Sequence, residues 1–370
     1  MPKSPRIIIS GGGTGGHIFP ALAIASEIQK RYPDAHLHFV GASNRMEMQR
    51  IPAAGHSITG IPIAGFQRRN MLKNLSLPWK IIKSLWMVRR IIKQHRPDVV
   101  VGTGGYVSGP VLWVAQRMGI PTLIQEQNSF AGKTNRLVAK KARAICTAYP
   151  NMESVFPAAT TYMTGNPVRP TIAAMADQPT DDAMRASAKR DLGFNPDQKL
   201  ILILGGSLGA RAINQAVTAC EASWRSAGHQ VLWQCGKIYF ELLQHKLGVV
   251  DGRIITDFLS DMPTVYRAAD VIVSRAGAGT LSELCCVGAA SLLIPSPNVA
   301  EDHQRHNASS LVDRGGARMM LESDIDGLGP GILALLADPE QVAQLRQGAQ
   351  RLAQPHAAAD IVDKLEPFWS

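Results

Sequence analysis

The residues of this chain best suited to chemistry lie near its N-terminus: Gly11-Gly12-Gly13-Thr14-Gly15-Gly16-His17. They follow a short apolar run, Arg6 to Ser10, that reads as a buried strand. They precede Ile18 to Arg31, which reads as a helix. Glycines let the backbone approach a ligand and take up positive φ. The unpaired N–H groups and positive dipole end of the helix then face negative charge. A P-loop is excluded, because His17 stands where that loop needs lysine. Gly11-x-Gly13-x-x-Gly16 also matches a dinucleotide fingerprint, which wants an acid at the end of the second strand. Here that strand, His36 to Val40, runs into Gly41-Ala42-Ser43-Asn44, with no acid. What remains is a phosphate loop ending in a histidine, whose imidazole can take a proton near neutral pH. The plainer alternative for His17 is a residue that only caps or packs the helix start.

A second stretch, Ser274-Arg-Ala-Gly277-Ala278-Gly279-Thr280-Leu281-Ser282-Glu283, also opens a helix with glycines. Glu283 can accept two hydrogen bonds from a ribose diol while the helix start faces phosphate. Thr280-x-x-Glu283 is equally a capping box, and the fragment alone leaves both readings open. Gln304 lies after the next strand and can read sugar hydroxyls. Glu301, Asp302, His303 and His306 form a nominal metal cluster, but solvated helix-start residues are the commoner case, so no metal site is assigned. Asp324-x-Asp326 reads as capping.

These stretches need a scaffold that brings strand ends together. The chain alternates strands and helices in both halves, the pattern of an α/β fold with doubly wound parallel sheets, where ligands sit at strand C-termini. Further strands end in Thr103-Gly104-Gly105-Tyr106 and in Gln125-Glu126-Gln127-Asn128, so these loops should converge on the first. Residues 157–196, rich in Pro, Ala and Asp, read as a linker, with Arg169 inside Gly165-Asn-Pro-Val-Arg-Pro170 able to clamp a phosphate. Strand–glycine–helix order then restarts at Lys199, with a loop at Gly205-Gly206-Ser207. The expected division is 1–164 and 165–356, with a C-terminal helix near 357–370 returning to the first domain.

Length and composition agree with two globular domains: 370 residues, 45% apolar and 18% charged. Five scattered cysteines without a C-x-x-C pair fit buried thiols in a reducing compartment. No leader and no membrane span is expected, since the apolar runs are too short. The net charge of +10 is localised. Between Glu47 and Asp98 there is no acid, but there are Arg50, Arg68, Arg69, Lys73, Lys80, Lys83, Arg89, Arg90, Lys93 and Arg96. On a helix starting near Pro78, Ile81, Leu85, Val88 and Ile92 share one face, expected to meet the core. Trp79, Lys83, Trp86, Arg90 and Lys93 share the other, which mixes aromatic and cationic groups as a lipid interface does. Met71, Leu72, Leu75 and Leu77 could add an apolar loop. A solvated basic face is the alternative. Nucleic acid is not expected, for want of a recognised module.

Seven motifs occur in order: Gly12-Gly-Thr-Gly-Gly-His17, Thr103-Gly-Gly-Tyr106, Glu126-Gln-Asn128, Gly165-Asn-Pro-Val-Arg169, Gly205-Gly-Ser207-x-Gly-Ala210, Ser274 to Glu283, and Asp302-x-Gln304. Together they resemble the MurG family of peptidoglycan N-acetylglucosaminyltransferases, over nearly the whole chain. Leu208 departs from the glutamine of some members, and residues 176–190 match nothing. The resemblance implies the GT-B fold, two Rossmann-like domains facing across a deep cleft. It implies inverting transfer of GlcNAc from UDP-GlcNAc to the MurNAc 4-hydroxyl of undecaprenyl-pyrophosphoryl-MurNAc-pentapeptide (lipid I), giving lipid II, with no cofactor. It implies that Leu259 meets uracil and Glu283 the ribose, that Ser207, Arg169 and the loop at 277–280 bind diphosphate, and that Ala278, Gln304 and Asn128 lie near GlcNAc. Thr14, Gly15, Gly16, Leu281 and Ser282 complete the expected donor set. Gly13, Thr14, Gly15, Gly16, Gly104, Gly105 and Tyr106 should cradle the acceptor's pyrophosphate, with His17 as base. Anionic lipids on the cytoplasmic face of the inner membrane are the expected peripheral partner, with other cell-wall synthesis proteins as candidates. The rivals are a UDP-GlcNAc 2-epimerase, which needs no basic aromatic face, a nicotinamide dehydrogenase, which needs the missing acid, and a non-catalytic membrane module.

Overall fold

A computed structural model of the chain describes residues 4–63, 77–206 and 208–369. It divides into two units, Met1–Arg169 with His356–Ser370, and Pro170–Pro355. The first unit holds β1 (Arg6–Gly11), β2 (His36–Ala42), β3 (Ser57–Ile61), β4 (Val99–Gly104), β5 (Thr122–Glu126), β6 (Ala144–Thr147) and β7 (Thr161–Met163). They form one parallel sheet in the order β3-β2-β1-β4-β5-β6-β7. Its helices are α1 (Gly15–Arg31), α2 (Glu47–Ala53), α3 (Leu77–His95), α4 (Ser108–Arg117) and α5 (Lys133–Ala139). Side chains alternate across a strand, so Ile7 and Ile9 pack on one face with Ile24 and Ile28 of α1, and Ile8 packs on the other with Val88, Ile92 and Val111. Cover on both faces is why the strands are unbroken apolar runs.

The second unit repeats the plan. Its helices are α6 (Pro170–Ala173), α7 (Asp182–Asp191), α8 (Arg211–Ser226), α9 (Phe240–Leu247), α10 (Met262–Ala268), α11 (Ala278–Cys286), α12 (His303–Val312), α13 (Leu328–Leu336) and α14 (Pro339–Arg351). Its strands are β8 (Leu200–Leu204), β9 (Gln230–Gln234), β10 (Arg253–Thr256), β11 (Val271–Ser274), β12 (Ser291–Leu293) and β13 (Arg318–Met319). They lie parallel in the order β10-β9-β8-β11-β12-β13. The final helix, α15 (Ala357–Asp363), packs against α1, and Ile361, Val362, Leu365 and Trp369 join the core behind Ile7 and Ile9.

Several expectations are corrected. Residues 157–196 are not a linker throughout: α7 is a helix capped by Asp181, whose carboxylate accepts from Met184 N–H. Its Arg185 and Lys189 are buried beside Asp270, with Lys189 Nζ 2.7 Å from the carboxylate. β3 was hidden because Ser57-Ile-Thr-Gly-Ile61 at the sheet edge carries only a weak alternation. On α3 the buried residues are Ser84, Val88, Ile91 and Ile92; Ile81 is 38% exposed, because the helix's first turns run past the core. Arg68, Arg69, Met71, Leu72, Lys73, Leu75 and Ser207 lie outside the described residues.

Candidate active site

In each sheet the chain reverses its winding direction beside the first strand, between β1 and β4 and between β8 and β11. A crevice opens at such a switch point beyond the strand C-termini. The first unit places both glycine loops there. Thr14 is the N-cap of α1 and its hydroxyl makes no capping bond. Gly15 and Gly16 supply the first helical N–H groups, which have no acceptor within a helix. Gly13 differs, because its N–H donates to Glu47 Oε2 at 3.1 Å. Any part it plays at a pyrophosphate comes from its backbone shape and not from that amide.

Glu47 is the residue that reading the sequence missed. Its carboxylate is fully buried, and Oε1 accepts from Ala42 N–H at 3.0 Å. A side chain at Gly12 would overlap that carboxylate, so the loop can lie on it only as glycine. The signal was faint: the acid sits seven residues beyond Val40, in the following helix.

His17 is clamped by the C-terminal end of β4 and by the residue that follows β5. Thr103 Oγ1 donates to the His17 carbonyl at 2.8 Å, and the Thr103 carbonyl lies 3.0 Å from His17 Nδ1. Gln127 Oε1 lies 3.0 Å from the same nitrogen. Gly104, at φ +99°, leaves just enough room, since a Cβ there would sit 2.8 Å from Nδ1. A Cβ at Gly105 would overlap the Gly12 carbonyl more severely still. Tyr106 stacks its ring edge against Gly13, and its buried hydroxyl has no hydrogen-bond partner among the described residues. Asn128 N–H donates to the buried Glu126 at 3.0 Å, and Glu126 also accepts from Gly132 N–H and Asn135 Nδ2. Arg169 is half-buried, the last residue of its unit.

In the second unit Gln234 underlies the β8–α8 loop as Glu47 underlies the first. Its Oε1 accepts from Gly206 N–H at 2.9 Å, and its Nε2 donates to the Gly206 and Asp257 carbonyls. Gly277 is the N-cap of α11 and no side chain caps it, so Thr280 and Glu283 do not form a capping box. Instead Glu283 Oε2 accepts from the Tyr266 hydroxyl at 2.8 Å. Ala278, Gly279 and Thr280 carry the first-turn N–H groups. Leu281 and Ser282 do not fit the donor set: Leu281 is wholly buried with its N–H bound to Gly277, and the Ser282 hydroxyl donates back to Ala278. Gln304 Oε1 accepts from Ser296 N–H at 2.9 Å beside a cavity of about 470 Å³ that Arg275, Arg211 and Glu322 also line. Leu259 is half-buried after β10. Among the described residues no cluster suits a metal ion; Asp324 and Asp326 lie within a short 3-10 helix, Glu322–Gly327, and neither it nor α13 after it takes a side-chain cap.

Most of the exposed large apolar groups described in the first unit lie on α3 to α5, with Phe19 of α1 and Met163 of β7 apart from them. Trp79, Ile82 and Trp86 are exposed on α3, and Arg90 lies over the Trp86 ring. Trp113 of α4 is exposed with Arg117 over its ring at 4.3 Å, and Leu137 of α5 is 84% exposed. Reading the sequence found the α3 tryptophans and missed the other two, which lie on separate helices.

The profile described as "Glycosyltransferase family 28 N-terminal domain" matches residues 7–147, and "Glycosyltransferase family 28 C-terminal domain" matches 200–365. A Bacteroides fragilis protein is 48% identical over 97% of this chain and 94% of its own. Its name is UDP-N-acetylglucosamine–N-acetylmuramyl-(pentapeptide) pyrophosphoryl-undecaprenol N-acetylglucosamine transferase. The crystal structure of Acinetobacter baumannii MurG superposes with a TM-score of 0.75 at 29% identity, covering 98% of this chain and 99% of that one. A UDP-N-acetylglucosamine 2-epimerase shares the fold alone, at 16% identity and a TM-score of 0.65, over 99% of this chain and 96% of its own. The chain belongs to glycosyltransferase family 28, and within it to the MurG family of GT-B N-acetylglucosaminyltransferases.

Proposed function

We propose that the chain transfers GlcNAc from UDP-GlcNAc to the 4-hydroxyl of the muramyl sugar of lipid I, the reaction in the name of its B. fragilis relative. In an inverting transfer the acceptor oxygen attacks the anomeric carbon and loses its proton. The bond to the diphosphate breaks, and its electron pair leaves with UDP. His17 takes the proton. The observation that carries this role is the pair of acceptors on Nδ1: the Thr103 carbonyl can only accept, so Nδ1 bears the hydrogen and neutral imidazole keeps its lone pair on Nε2. A positioned base contributes about 10²–10⁴-fold.

The donor would lie on the second unit. On this reading the diphosphate would be served by the first-turn N–H groups at Ala278, Gly279 and Thr280 and by Arg169 and Ser207, the ribose by Glu283, the base by Leu259, and the sugar by Gln304 and Asn128. These groups stabilise the leaving charge without reorganising. Gly13, Thr14, Gly15, Gly16, Gly104, Gly105 and Tyr106 would hold the acceptor's pyrophosphate, and the unpartnered Tyr106 hydroxyl suits an oxygen acceptor there. The lipid of the acceptor stays in the bilayer, and the exposed Trp79, Trp86, Lys83, Arg90 and Lys93 suit peripheral attachment to anionic lipid on its cytoplasmic side. Each cation near such a surface adds about 1 kcal/mol.

The test is GlcNAc transfer from labelled UDP-GlcNAc to a short-chain lipid I analogue with EDTA present. Transfer supports the reaction without a free divalent metal. Donor binding without transfer would remove the acceptor assignment. Wild-type kcat in His17→Ala would remove His17 as base. Pelleting with phosphatidylglycerol vesicles that Lys83→Glu with Arg90→Glu leaves unchanged would remove the membrane face.

A further inference from the structure

We propose that Gln127 is a positioning residue for His17: its side-chain amide fixes the imidazole as the Nδ1–H tautomer, and Gln125 and Asn166 hold that amide in place. The inference rests on reading His17 as the base.

The orientation of the Gln127 amide follows from its surroundings. One end lies 2.6 Å from the Thr103 carbonyl and 3.0 Å from the Gln125 carbonyl. Carbonyl oxygens only accept, so that end is the NH2 group. The other end is therefore Oε1, and it lies 3.0 Å from His17 Nδ1. An amide oxygen also only accepts, so the hydrogen must sit on Nδ1. Gln127 and the Thr103 carbonyl thus make the same demand on the ring from two sides, and Gln127 additionally ties that carbonyl down.

The amide has no freedom to turn over. Gln127 is 2% exposed, and its Nε2 also donates to Gln125 Oε1. Gln125 Nε2 donates in turn to Asn166 Oδ1 at 2.9 Å, and Asn166 Nδ2 donates to the Gln127 carbonyl at 3.0 Å. Three buried amides thus close a ring of hydrogen bonds in which each donor and acceptor is assigned. A flipped Gln127 would set an NH2 group against Nδ1–H and an oxygen against three oxygens. Such a network is costly to leave half-satisfied, which is what makes it rigid. Asn166 lies three residues before the end of the first unit, so the ring also ties the base to the segment where the chain leaves that unit.

Two variants test this on the full chain. Gln127→Met keeps the length and removes the acceptor facing Nδ1. Gln127→Glu keeps an oxygen there; buried against three oxygens its carboxyl stays protonated, and its O–H takes over the donation to the Thr103 carbonyl. Nitrogen-15 spectra of histidine-labelled, ligand-free protein, with the His17 signal assigned by its loss in His17→Gln, report the tautomer directly and need no turnover. In Gln127→Met we expect Nε2–H tautomer to appear and kcat to fall about 10–100-fold, within what a positioned base contributes. KM for UDP-GlcNAc should stay within about two-fold, since the proposed donor groups other than Asn128 lie elsewhere and Asn128 is held by Glu126 and not by Gln127. In Gln127→Glu the Nδ1–H tautomer should persist and kcat should exceed that of the methionine variant. An unchanged tautomer and wild-type kcat in Gln127→Met would overturn the proposal. If that variant does not fold, loss of the Nδ1–H tautomer in Gln127→Glu would overturn it instead. A shifted tautomer together with wild-type kcat in His17→Ala would sink the base reading and leave the positioning intact.

Discussion

Replacing Glu47 should damage the first glycine loop out of proportion to its distance from any reacting atom. The carboxylate is fully buried and accepts two backbone N–H groups, from Gly13 at 3.1 Å and Ala42 at 3.0 Å. Glu47→Ala strands both donors in the core. Each unsatisfied buried donor costs about 1–3 kcal/mol, so the pair costs about 2–6 kcal/mol. Glu47→Gln can serve only one of them and turns its NH2 group on the other, for about 1–3 kcal/mol. The assay is urea unfolding followed by near-UV circular dichroism, with kcat and KM measured below the transition. Stability should rank wild type above glutamine above alanine. Because Gly13 leads into Thr14 and the start of α1, KM for the lipid acceptor should rise while KM for UDP-GlcNAc holds. A Glu47→Ala protein losing under about 1 kcal/mol, with unchanged acceptor KM, would refute the reasoning.

Other outcomes follow from the same structure. Gly104→Ala should abolish measurable transfer, since φ +99° strains any side chain and the Cβ would press on His17 Nδ1; the positive-φ strain alone costs about 1–3 kcal/mol in a melt. Asp270→Asn should destabilise the second unit by about 3–5 kcal/mol, because buried Lys189 and Arg185 lose their counter-charge. Burial pushes the Asp270 carboxyl up, yet the Lys189 and Leu200 N–H hydrogen bonds outweigh that and hold it below the usual range, so its contribution fades as pH falls. His38 is buried and stacked 3.8 Å from His95 and bonds Ser57 and Thr59 through its two nitrogens. Burial first, then His95, lowers its pKa from 6.5 to about 4. The unfolded chain therefore takes the proton first, and stability should decline as pH falls from 6.5 towards 4; His38→Gln should flatten that slope in urea titrations.

What the sequence made legible was whatever is local. Strand–glycine–helix units announce themselves because apolar runs, glycines and helix periodicity lie within twenty residues of one another, as around His17 and around Gly277. The exposed aromatic and cationic face of α3 was legible for the same reason. What lay hidden depended on residues distant in the chain. Glu47 and Gln234 look like ordinary polar residues until folding slides each beneath a glycine loop. The acid sought at the end of β2 was absent there, but a carboxylate reaches the loop from the next helix and serves the backbone instead of a ribose. The α7 segment was read as linker from its Pro, Ala and Asp content; what holds it as a helix is out of sight in the local sequence, since Arg185 and Lys189 are buried against Asp270, some eighty residues on. The Thr280–Glu283 spacing left two readings open, and distance in the chain hid what separates them: Glu283 meets Tyr266, seventeen residues back, and Gly277 is the N-cap.

The return of residues 356–369 to the first unit has a consequence for how the protein is made. Ile361, Val362, Leu365 and Trp369 cover the same sheet face as α1, yet they are synthesised after the whole second unit. While the second unit is being synthesised, the first must wait with Ile7, Ile9 and Val101 short of their final cover. Domains generally fold as units from the N-terminus during synthesis, and uncovered apolar faces aggregate. Here the order is inverted at the seam: the later unit can finish folding before the earlier one is sealed. A chain stopped at Pro355 would carry an intact second unit beside an unfinished first. A lesion in the codons for residues 356–369 would be felt in the unit that holds His17, far upstream in the message.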